Sequence, residues 1–301
     1  MAALLYGSAY VATAIALDGY SPAGIGVWRG VLGLALLLGL LALPAMRDQR
    51  PRRLTRPALA RLAVLGTIGG GMFILAMNAA VALSGATVTA FVAGLYAVLA
   101  SLLAIPLLGE RLERRVILAL GAAFVGTTLL SGLQATGTSA GGLALGLVAA
   151  TAFAVFLVLS RRWSEPYGLT GATVGLASLG ISAAVSAVVA AIDGSLLPHD
   201  ASFAASAAVA WIAAGPGAAA SVLVVIGMRR LPARFAGLFL LLNPPTAPIL
   251  GFAVLGERLG GVQLVGATLV LAAIAVAGGA MPTRTASRRS SPPGSAPPTR
   301  S

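Results

Sequence analysis

Leu108-Gly109-Glu110-Arg111-Leu112 occurs a second time as Leu255-Gly256-Glu257-Arg258-Leu259, 147 residues later in the chain. Each copy closes a long apolar stretch. The register between the two stretches also holds upstream without a gap, as far as 94–97 against 241–244. One shared pentapeptide would be weak evidence, but the ungapped register predicts that the chain consists of two copies of one unit.

The composition of the chain is that of a membrane protein. Of 301 residues, 58% are hydrophobic and 9% are charged, and the mean hydropathy is +0.96. A soluble domain has roughly 25% charged residues, so this chain has too little polar surface to stay in water. It has no cysteine, which excludes disulfides and cysteine-bound metals. Its single histidine, His199, lies in a polar linker, so we expect neither a metal site nor a cofactor.

Ten apolar runs are long enough to cross a bilayer as helices. They predict an all-α membrane protein with ten transmembrane helices. The predicted spans are 2–18, 24–43, 61–83, 87–108, 115–132, 141–160, 170–192, 205–227, 235–256 and 261–279.

The basic residues orient these spans. All 20 are arginine, and 18 of them lie on alternate links between helices or in the C-terminal tail. Positive residues stay in the cytoplasm, so we expect a multi-pass protein of a bacterial-type cytoplasmic (inner) membrane with both termini in the cytoplasm. This topology accounts for the net charge of +12. We therefore expect membrane lipid, and not nucleic acid, beside the arginines.

The ten spans divide into two inverted repeats. Helices 1–5 form the first unit (1–135) and helices 6–10 the second (136–280). A basic, Ser- and Pro-rich tail follows (281–301), which we expect to be disordered and cytoplasmic. Five is an odd number, so the second unit enters the membrane from the opposite side. Such repeats are typical of secondary transporters, which bind their substrate near the midplane.

Several short motifs resemble those of the drug/metabolite transporter superfamily, specifically its EamA-type ten-helix exporters. The resemblance covers about residues 4–279 and rests on five segments of this chain. It implies a central cavity lined mostly by helices 1, 3, 4, 6, 8 and 9, alternating access, and export of amino acids or related metabolites. In composition and bulk the chain looks most similar to the YddG-like amino-acid exporters. The five segments are Leu5-Tyr6-Gly7-Ser8, Arg29, Pro106-Leu107-Leu108-Gly109-Glu110-Arg111-Leu112, Asn243-Pro244-Pro245 and Leu255-Gly256-Glu257-Arg258-Leu259.

A first pair of helix interruptions lies at the 147-residue offset. Gly69 and Gly70 in helix 3 match Pro216 and Gly217 in helix 8. Paired interruptions in corresponding helices are the best sequence pointer to a transporter site, so we expect hinges here. Close helix packing by small residues explains the glycines equally well.

A second pair joins helix 4 to helix 9. Tyr96 corresponds to Asn243, which Pro244 and Pro245 follow. Proline removes an amide donor and bends a helix, so we expect a break in helix 9 and polar contacts to substrate near it. We expect the substrate-binding cavity to be lined by Tyr10, Asn78, Tyr96, Phe153, Phe156, Phe239 and Asn243.

Charged residues near the helix ends are candidates for gates or structural ion pairs. Arg29 lies inside helix 2, where it snorkels to the interface, pairs with Asp18 or Glu257, or binds a substrate carboxylate. Glu110 and Glu257 pair with nearby arginines or cap the following helix, and by symmetry they are candidates for latches of two gates. The full candidate set is Arg29, Glu110, Arg111, Glu257 and Arg258.

The middle of each predicted span is free of Asp, Glu, Lys and His. Proton-coupled transporters usually place an ionisable residue there, so the sequence favours a uniporter. An intramembrane enzyme would need a nucleophile–base pair or metal ligands at this depth, so we expect no catalytic residues. Two functions stay open: export of small metabolites such as amino acids, including aromatic or bulky neutral ones, and export of lipophilic drugs by the same fold. A monomer is the expected state.

Overall fold

The computed structural model describes residues 2–44, 46, 54–108, 114–131, 139–220, 223, 243–256 and 260–279. Within these ranges the regular structure is entirely helical. Both Leu-Gly-Glu-Arg-Leu copies lie largely outside them, as does the tail 281–301.

The spans 205–227 and 235–256 are described only in part. In each of the ten predicted spans the described residues form a helix, numbered α1 to α10 in chain order. Two of them are continued by π-helical segments, and α3 contains one. The bounds are α1 Ala2–Ala16, α2 Pro22–Ala42, α3 Arg56–Ser84, α4 Ala86–Gly94 and Tyr96–Leu108, α5 Arg114–Ser131, α6 Ala140–Ser164, α7 Gly171–Ile192, α8 Phe203–Ile212 with Ala213–Ala219, α9 Asn243–Leu250 with Gly251–Leu255, and α10 Gly261–Gly279. Five of them (α2, α3, α4, α6 and α7) are long and apolar enough to cross a bilayer, and shorter apolar helices lie in α1, α8 and α10. The chain is therefore an all-α membrane protein.

Local sequence explains where several helices begin. A Ser or Thr hydroxyl accepts a hydrogen bond from the first-turn amide, which has no partner within the helix. Ser21 accepts from the Gly24 amide at 2.8 Å, and Pro22 follows it at the first helical position. Thr170 forms a reciprocal capping box with Thr173 at the start of α7. These caps fix the helix ends that the apolar runs alone leave uncertain.

The two halves pack in corresponding ways. Helix α1 contacts α8 and α9, and its counterpart α6 contacts α3 and α4. Helix α2 packs against α7, α5 against α10, and α4 against α9. Exchanging the halves adds five to each helix number of the first half and subtracts five from each of the second. The exchange maps the contacts of α1 onto those of α6, and it maps the other three contacts onto themselves. The duplicated sequence therefore forms two related five-helix units that interlock.

Two π-helical segments occupy corresponding places in the halves. One covers Thr67–Met72 in α3, and the other covers Ala213–Ala219 in α8. The first contains three consecutive glycines, and the second consists of Ala and Gly with Pro216. The α3 segment packs against α7 and the α8 segment against α2. Each interruption thus contacts a helix of the other half.

Candidate transport pathway

Four aromatic side chains pack together between α3 and α4 of the first half and α6 of the second half. Phe73 stacks on Phe153 with ring centroids 4.7 Å apart, and Tyr96 meets Phe153 edge-on at 4.9 Å. Phe153 and Phe156 are parallel at 5.8 Å. These are favourable aromatic geometries. We call Phe73, Tyr96, Phe153 and Phe156 the aromatic cluster. It brings three of the predicted cavity residues into one place, between α3, α4 and α6.

A break in α4 sets the position of Tyr96. The first part of the helix ends at Gly94, and the Leu95 amide donates to the Val92 carbonyl at 3.1 Å. The Val98 amide then donates to the Leu95 carbonyl at 3.0 Å. These three-residue steps tighten the chain at Leu95. Tyr96 therefore opens a new helical segment and is buried against the cluster.

Gly69 and Gly70 bring α3 into close contact with the second half. A Cβ at residue 69 would lie 2.8 Å from ring atoms of Phe156. A Cβ at residue 70 would collide with the backbone of Ser178 in α7, 2.8 Å from its carbonyl carbon. Both glycines are thus held in contact with another helix, as expected for small residues at membrane helix interfaces.

The corresponding segment of α8 is packed in a similar way. Pro216 and Gly217 are buried. A Cβ at residue 217 would lie 3.2 Å from the Ile212 carbonyl oxygen, 3.7 Å from Leu179 of α7 and 3.9 Å from the Cα of Gly33 in α2. The hinge role of Gly69, Gly70, Pro216 and Gly217 stays a prediction.

Asn78 and Tyr10 are buried in the packed interior. The Asn78 Nδ2 atom donates to the Pro22 carbonyl at 2.9 Å, which ties α3 to the start of α2. Its Oδ1 atom has no hydrogen-bond partner among the described residues. Tyr10 packs in a core cluster with α3 and α4 residues, among them Met77 and Ala90.

Arg29 is the buried charge of the described spans. Its side chain is 8% exposed. Its electrostatic neighbours are Tyr6 and Tyr10 of α1. The predicted pairing with Asp18 is wrong, because Asp18 is exposed at the helix end and its carboxylate accepts a hydrogen bond from the Ser202 hydroxyl at 3.4 Å. Arg29 lies deeper in the bundle, beyond the reach of that linker.

At one end of the bundle, which we call end A, the linker 17–21 meets the linker 193–202. The His199 amide donates to the Gly19 carbonyl at 2.9 Å, and the Ser21 hydroxyl donates to the Ser195 carbonyl at 3.2 Å. The Tyr20 and Ser206 hydroxyls are 3.3 Å apart. Hydrogen bonds between polar segments therefore hold the two halves together at end A.

At the opposite end, which we call end B, the start of α3 (54–62) meets the linker 165–170. The Arg61 guanidinium carbon lies 3.7 Å from the Tyr167 ring centroid and 5.7 Å from that of Trp163. Arg61 also donates to the Pro57 carbonyl at 2.9 Å. Around this contact, apolar side chains close the end: Leu54, Ala58, Leu62, Leu65, Phe156, Leu159, Leu169 and Val174.

A cleft of about 450 Å³ opens beside end A. It is apolar along α3 and α6, with polar groups only at its rim. None of the predicted cavity residues whose side chains are described lines it: Tyr10, Asn78, Tyr96, Phe153 and Phe156. The lining residues are Ser21, Pro22, Ala23, Met72, Leu75, Ala76, Ala79, Leu145, Val189 and Asp193.

Eight predicted site residues lie at an edge of the described ranges or outside them. Asn243, Pro244 and Pro245 begin the described part of α9, and only their backbone is described. The predicted gate pairs and one cavity residue lie outside the described residues: Glu110, Arg111, Phe239, Glu257 and Arg258. The cross-half contact of Arg61 with Tyr167 was not predicted. Its signal in the sequence was an arginine at a helix start and aromatic residues in the linker that faces it.

Comparison with known proteins supplies the family. The EamA-like transporter family matches the chain twice, over residues 1–132 and 140–279. The chain belongs to this family. The two matched segments correspond to the two five-helix units described above, and the EamA-like chain is accordingly a multi-pass membrane transporter of the drug/metabolite type.

Solved structures support the fold of this EamA-like transporter. One crystal structure is 21% identical and superposes with a TM-score of 0.64, over 92% of this chain and 93% of the other. At this identity the likeness concerns the fold alone. Among curated proteins, none matches the chain significantly.

Proposed function

We propose that this EamA-like transporter exports amino acids or related small metabolites across the cytoplasmic membrane, as a monomeric uniporter that works by alternating access. The observation that carries the proposal is the pair of π-helical segments, Thr67–Met72 and Ala213–Ala219. Irregular backbone in membrane helices is tolerated where protein or a wet cavity surrounds it, and in transporters it marks the binding region.

The contacts of the two segments suggest how the halves move. Each segment packs on a helix of the opposite half, α7 or α2. A π-helical turn has strained, replaceable hydrogen bonds and is often found at functional sites. If one segment tightens while its counterpart relaxes, the two bundles rock about the interface, and one end opens as the other closes.

The arginines assign the ends to compartments in this proposal. Arg161 and Arg162 lie in the last turn of α6 on the side of end B, and Arg56 and Arg61 lie in the first two turns of α3 there. By the positive-inside rule end B faces the cytoplasm and end A the exterior. Export then begins with the opening of end B and finishes with the opening of end A.

The substrate class follows from the interior. The aromatic cluster offers faces and edges to an apolar side chain, and Tyr96 adds a hydroxyl beside it. Aromatic or bulky neutral amino acids match this lining. Uncoupled transport is proposed because the middle of the spans lacks Asp, Glu, Lys and His, the groups that usually relay protons.

Counterflow in proteoliposomes tests the function. Purified protein is reconstituted in vesicles loaded with one unlabelled amino acid, and uptake of the labelled compound is followed for a panel of amino acids and for lipophilic dyes. We expect uptake of aromatic or bulky neutral amino acids that an imposed pH gradient does not raise above the counterflow level. Uptake of dyes alone would favour the drug-export alternative, and gradient-driven accumulation would contradict the uniport.

A matched pair of glycine variants separates transport by this protein from leakage. Gly70→Val places a side chain against the Ser178 backbone of α7, whereas Gly39→Val adds the same side chain where nothing lies within 4 Å. We expect counterflow to fall at least tenfold in Gly70→Val, on the order of the rate lost when packing costs 1–3 kcal/mol. Gly39→Val should transport like the wild type.

A further inference from the structure

Arg29 is a charged residue placed deep in an apolar bundle. It is the eighth residue of α2, which begins at Pro22, so it lies about 10 Å from end A along the helix axis. Its side chain is 8% exposed. A charge at membrane depth is costly to insert, and such residues are functional candidates by default.

Arg29 has no carboxylate partner among the described residues. The described acids are Asp18, Glu165, Asp193 and Asp200, and the described groups that interact electrostatically with Arg29 are Tyr6 and Tyr10. Asp18, the acid nearest in sequence, is bonded to Ser202 instead. A buried guanidinium normally has a paired anion, and phenol groups supply no negative charge.

Hydroxyl groups line one face of α1, and two of them, those of Tyr6 and Tyr10, are electrostatic neighbours of Arg29. Tyr6, Tyr10 and Thr13 are spaced by four and three residues, which places them on one face of the helix. Tyr10 lies six residues before the end of α1 at Ala16, about 9 Å from end A, so it is level with Arg29. The Thr13 side chain is fully buried, and its Oγ1 atom has no hydrogen-bond partner among the described residues.

We propose that Arg29 anchors the carboxylate of the transported molecule, with hydroxyl groups of α1 donating to the same anion. The guanidinium binds a carboxylate through two parallel N–H donors. A hydroxyl at position 10 or 13 adds a neutral donor without repelling the anion. The inference rests on the proposed function, and it narrows the substrate to molecules that carry an anionic group next to an apolar part.

The competing explanation is a structural ion pair with Glu257, which lies outside the described residues. The two explanations differ in what removing the charge does. If Arg29 binds substrate, its loss abolishes discrimination between a carboxylate and the matching amide. If it pairs with Glu257, its loss is repaired by also removing the charge of Glu257.

The test compares an acid with its neutral amide in counterflow. The best amino-acid substrate of the wild type and its carboxamide are measured in the wild type, Arg29→Lys, Arg29→Gln, Tyr10→Phe and, as a matched control, Arg114→Gln at an exposed helix end. We expect the amide to be poor in every variant. In Arg29→Gln the apparent affinity for the acid should fall about 30-fold or more, the effect of deleting one partner of a buried charge pair.

The other variants grade the effect. Arg29→Lys keeps the charge but loses the bidentate geometry, so we expect an intermediate loss. Tyr10→Phe should weaken acid binding about fivefold, as for one neutral hydrogen bond. Arg114→Gln should match the wild type. An undiminished preference for the acid in Arg29→Gln, or rescue of transport in the double variant Arg29→Gln/Glu257→Gln, would overturn the proposal.

A second measurement tests the anion site independently of transport. The thermal stability of the purified protein in detergent is measured with phenylacetate and with phenylacetamide. We expect phenylacetate alone to stabilise the wild type and Arg114→Gln, because a ligand that binds only the folded state raises its stability. If amino acids are not transported but phenylacetate still stabilises through Arg29, the proposed substrate is wrong and the anion site stands. Equal effects of both compounds, or stabilisation kept in Arg29→Gln, would contradict the anion site.

Discussion

The two ends of the bundle are built from corresponding parts of the two halves, yet they are closed by different chemistry. End A joins the linkers 17–21 and 193–202 by hydrogen bonds between polar groups. End B joins the linker 165–170 to the start of α3 by apolar packing and by Arg61 on aromatic rings. The linkers 17–21 and 165–170 correspond in the two halves. Each carries a tyrosine within three residues of the next helix cap, and these are Tyr20 and Tyr167.

The difference shows that duplicated topology does not impose duplicated energetics. A hydrogen bond between exposed polar groups contributes about 1 kcal/mol, since water replaces it on opening. Apolar contacts add up with buried area, and a desolvated cation on a ring adds about 2 kcal/mol. End B should therefore be harder to open than end A, and the resting transporter should favour the state in which end B is closed.

The largest expected effect is at Gly19 in end A. A Cβ there would lie 2.5 Å from the Cα of Ala201 and 2.7 Å from its Cβ. Gly19→Val should therefore force the two linkers apart, at a cost of about 1–3 kcal/mol. The chain has no cysteine, so Ala201→Cys gives a single labelling site, and its rate with a membrane-impermeant maleimide should rise about tenfold.

Gly39→Val, which adds the same side chain where nothing lies within 4 Å, is the control for this measurement. Labelling of Ala201→Cys should be unchanged in it. Equal labelling rates in both backgrounds would mean that Gly19 does not hold end A closed.

The next effect is at Arg61 in end B. Arg61→Ala removes the cation from the Tyr167 and Trp163 rings and should make end B easier to open by about 1–2 kcal/mol. The reporter is Leu169→Cys, a buried position of the same cluster, whose labelling should rise about fivefold or more. Arg114→Ala, which also removes one positive charge, is the control. If the labelling rate rises equally in both variants, the ring contact has no specific role.

The sharpest comparison of the ends uses the same substitution in both. Tyr20→Phe removes the hydroxyl that faces Ser206, 3.3 Å away. It should lower the free energy needed to open end A by about 1 kcal/mol. Tyr167→Phe keeps the ring that Arg61 covers at 3.7 Å, so end B should stay closed. The two cysteine reporters measure both effects, and equal responses of the two ends would break the proposed distinction.

The smallest effects concern the helix caps beside each end. Ser21 both caps α2 and bonds Ser195 across end A, so Ser21→Ala should cost about 1–2 kcal/mol of thermal stability. Thr55 caps α3 with a longer bond of 3.4 Å to the Ala58 amide, so Thr55→Ala should cost about 0.5 kcal/mol. Melting curves in one detergent compare the two. A larger loss in Thr55→Ala would show that bonds across end A contribute little.

The sequence was a good guide to the helices and a partial guide to the interior. Apolar runs and Ser/Thr caps are local signals, so described helical residues are found in each of the ten predicted spans. The interruption at Gly69 and Gly70 was visible as a glycine pair, but its π-helical form and its contact with Ser178 depend on a helix about 100 residues away. Likewise, Tyr96 and Phe153 were selected for their residue type, and their edge-on contact required the packing of α4 on α6.

Arg29 illustrates the limit of sequence reasoning. Its neighbours in sequence suggested Asp18 as a partner, because both lie toward one end of adjacent helices. The folded chain instead directs Asp18 to Ser202 and leaves Arg29 beside Tyr6 and Tyr10. Partner choice between side chains of different helices depends on helix rotation and depth, which no local pattern encodes.

By itself, the sequence determined that this chain is a duplicated, ten-helix membrane protein, because hydrophobic length, charge placement and an ungapped repeat are properties of residues along the chain. Only the tertiary structure decided how the halves interlock, which interruption meets which helix, and that hydrogen bonds close one end while a cation on aromatic rings closes the other. Those choices arise from contacts between residues far apart in the chain, whose geometry is fixed only when both halves are packed together.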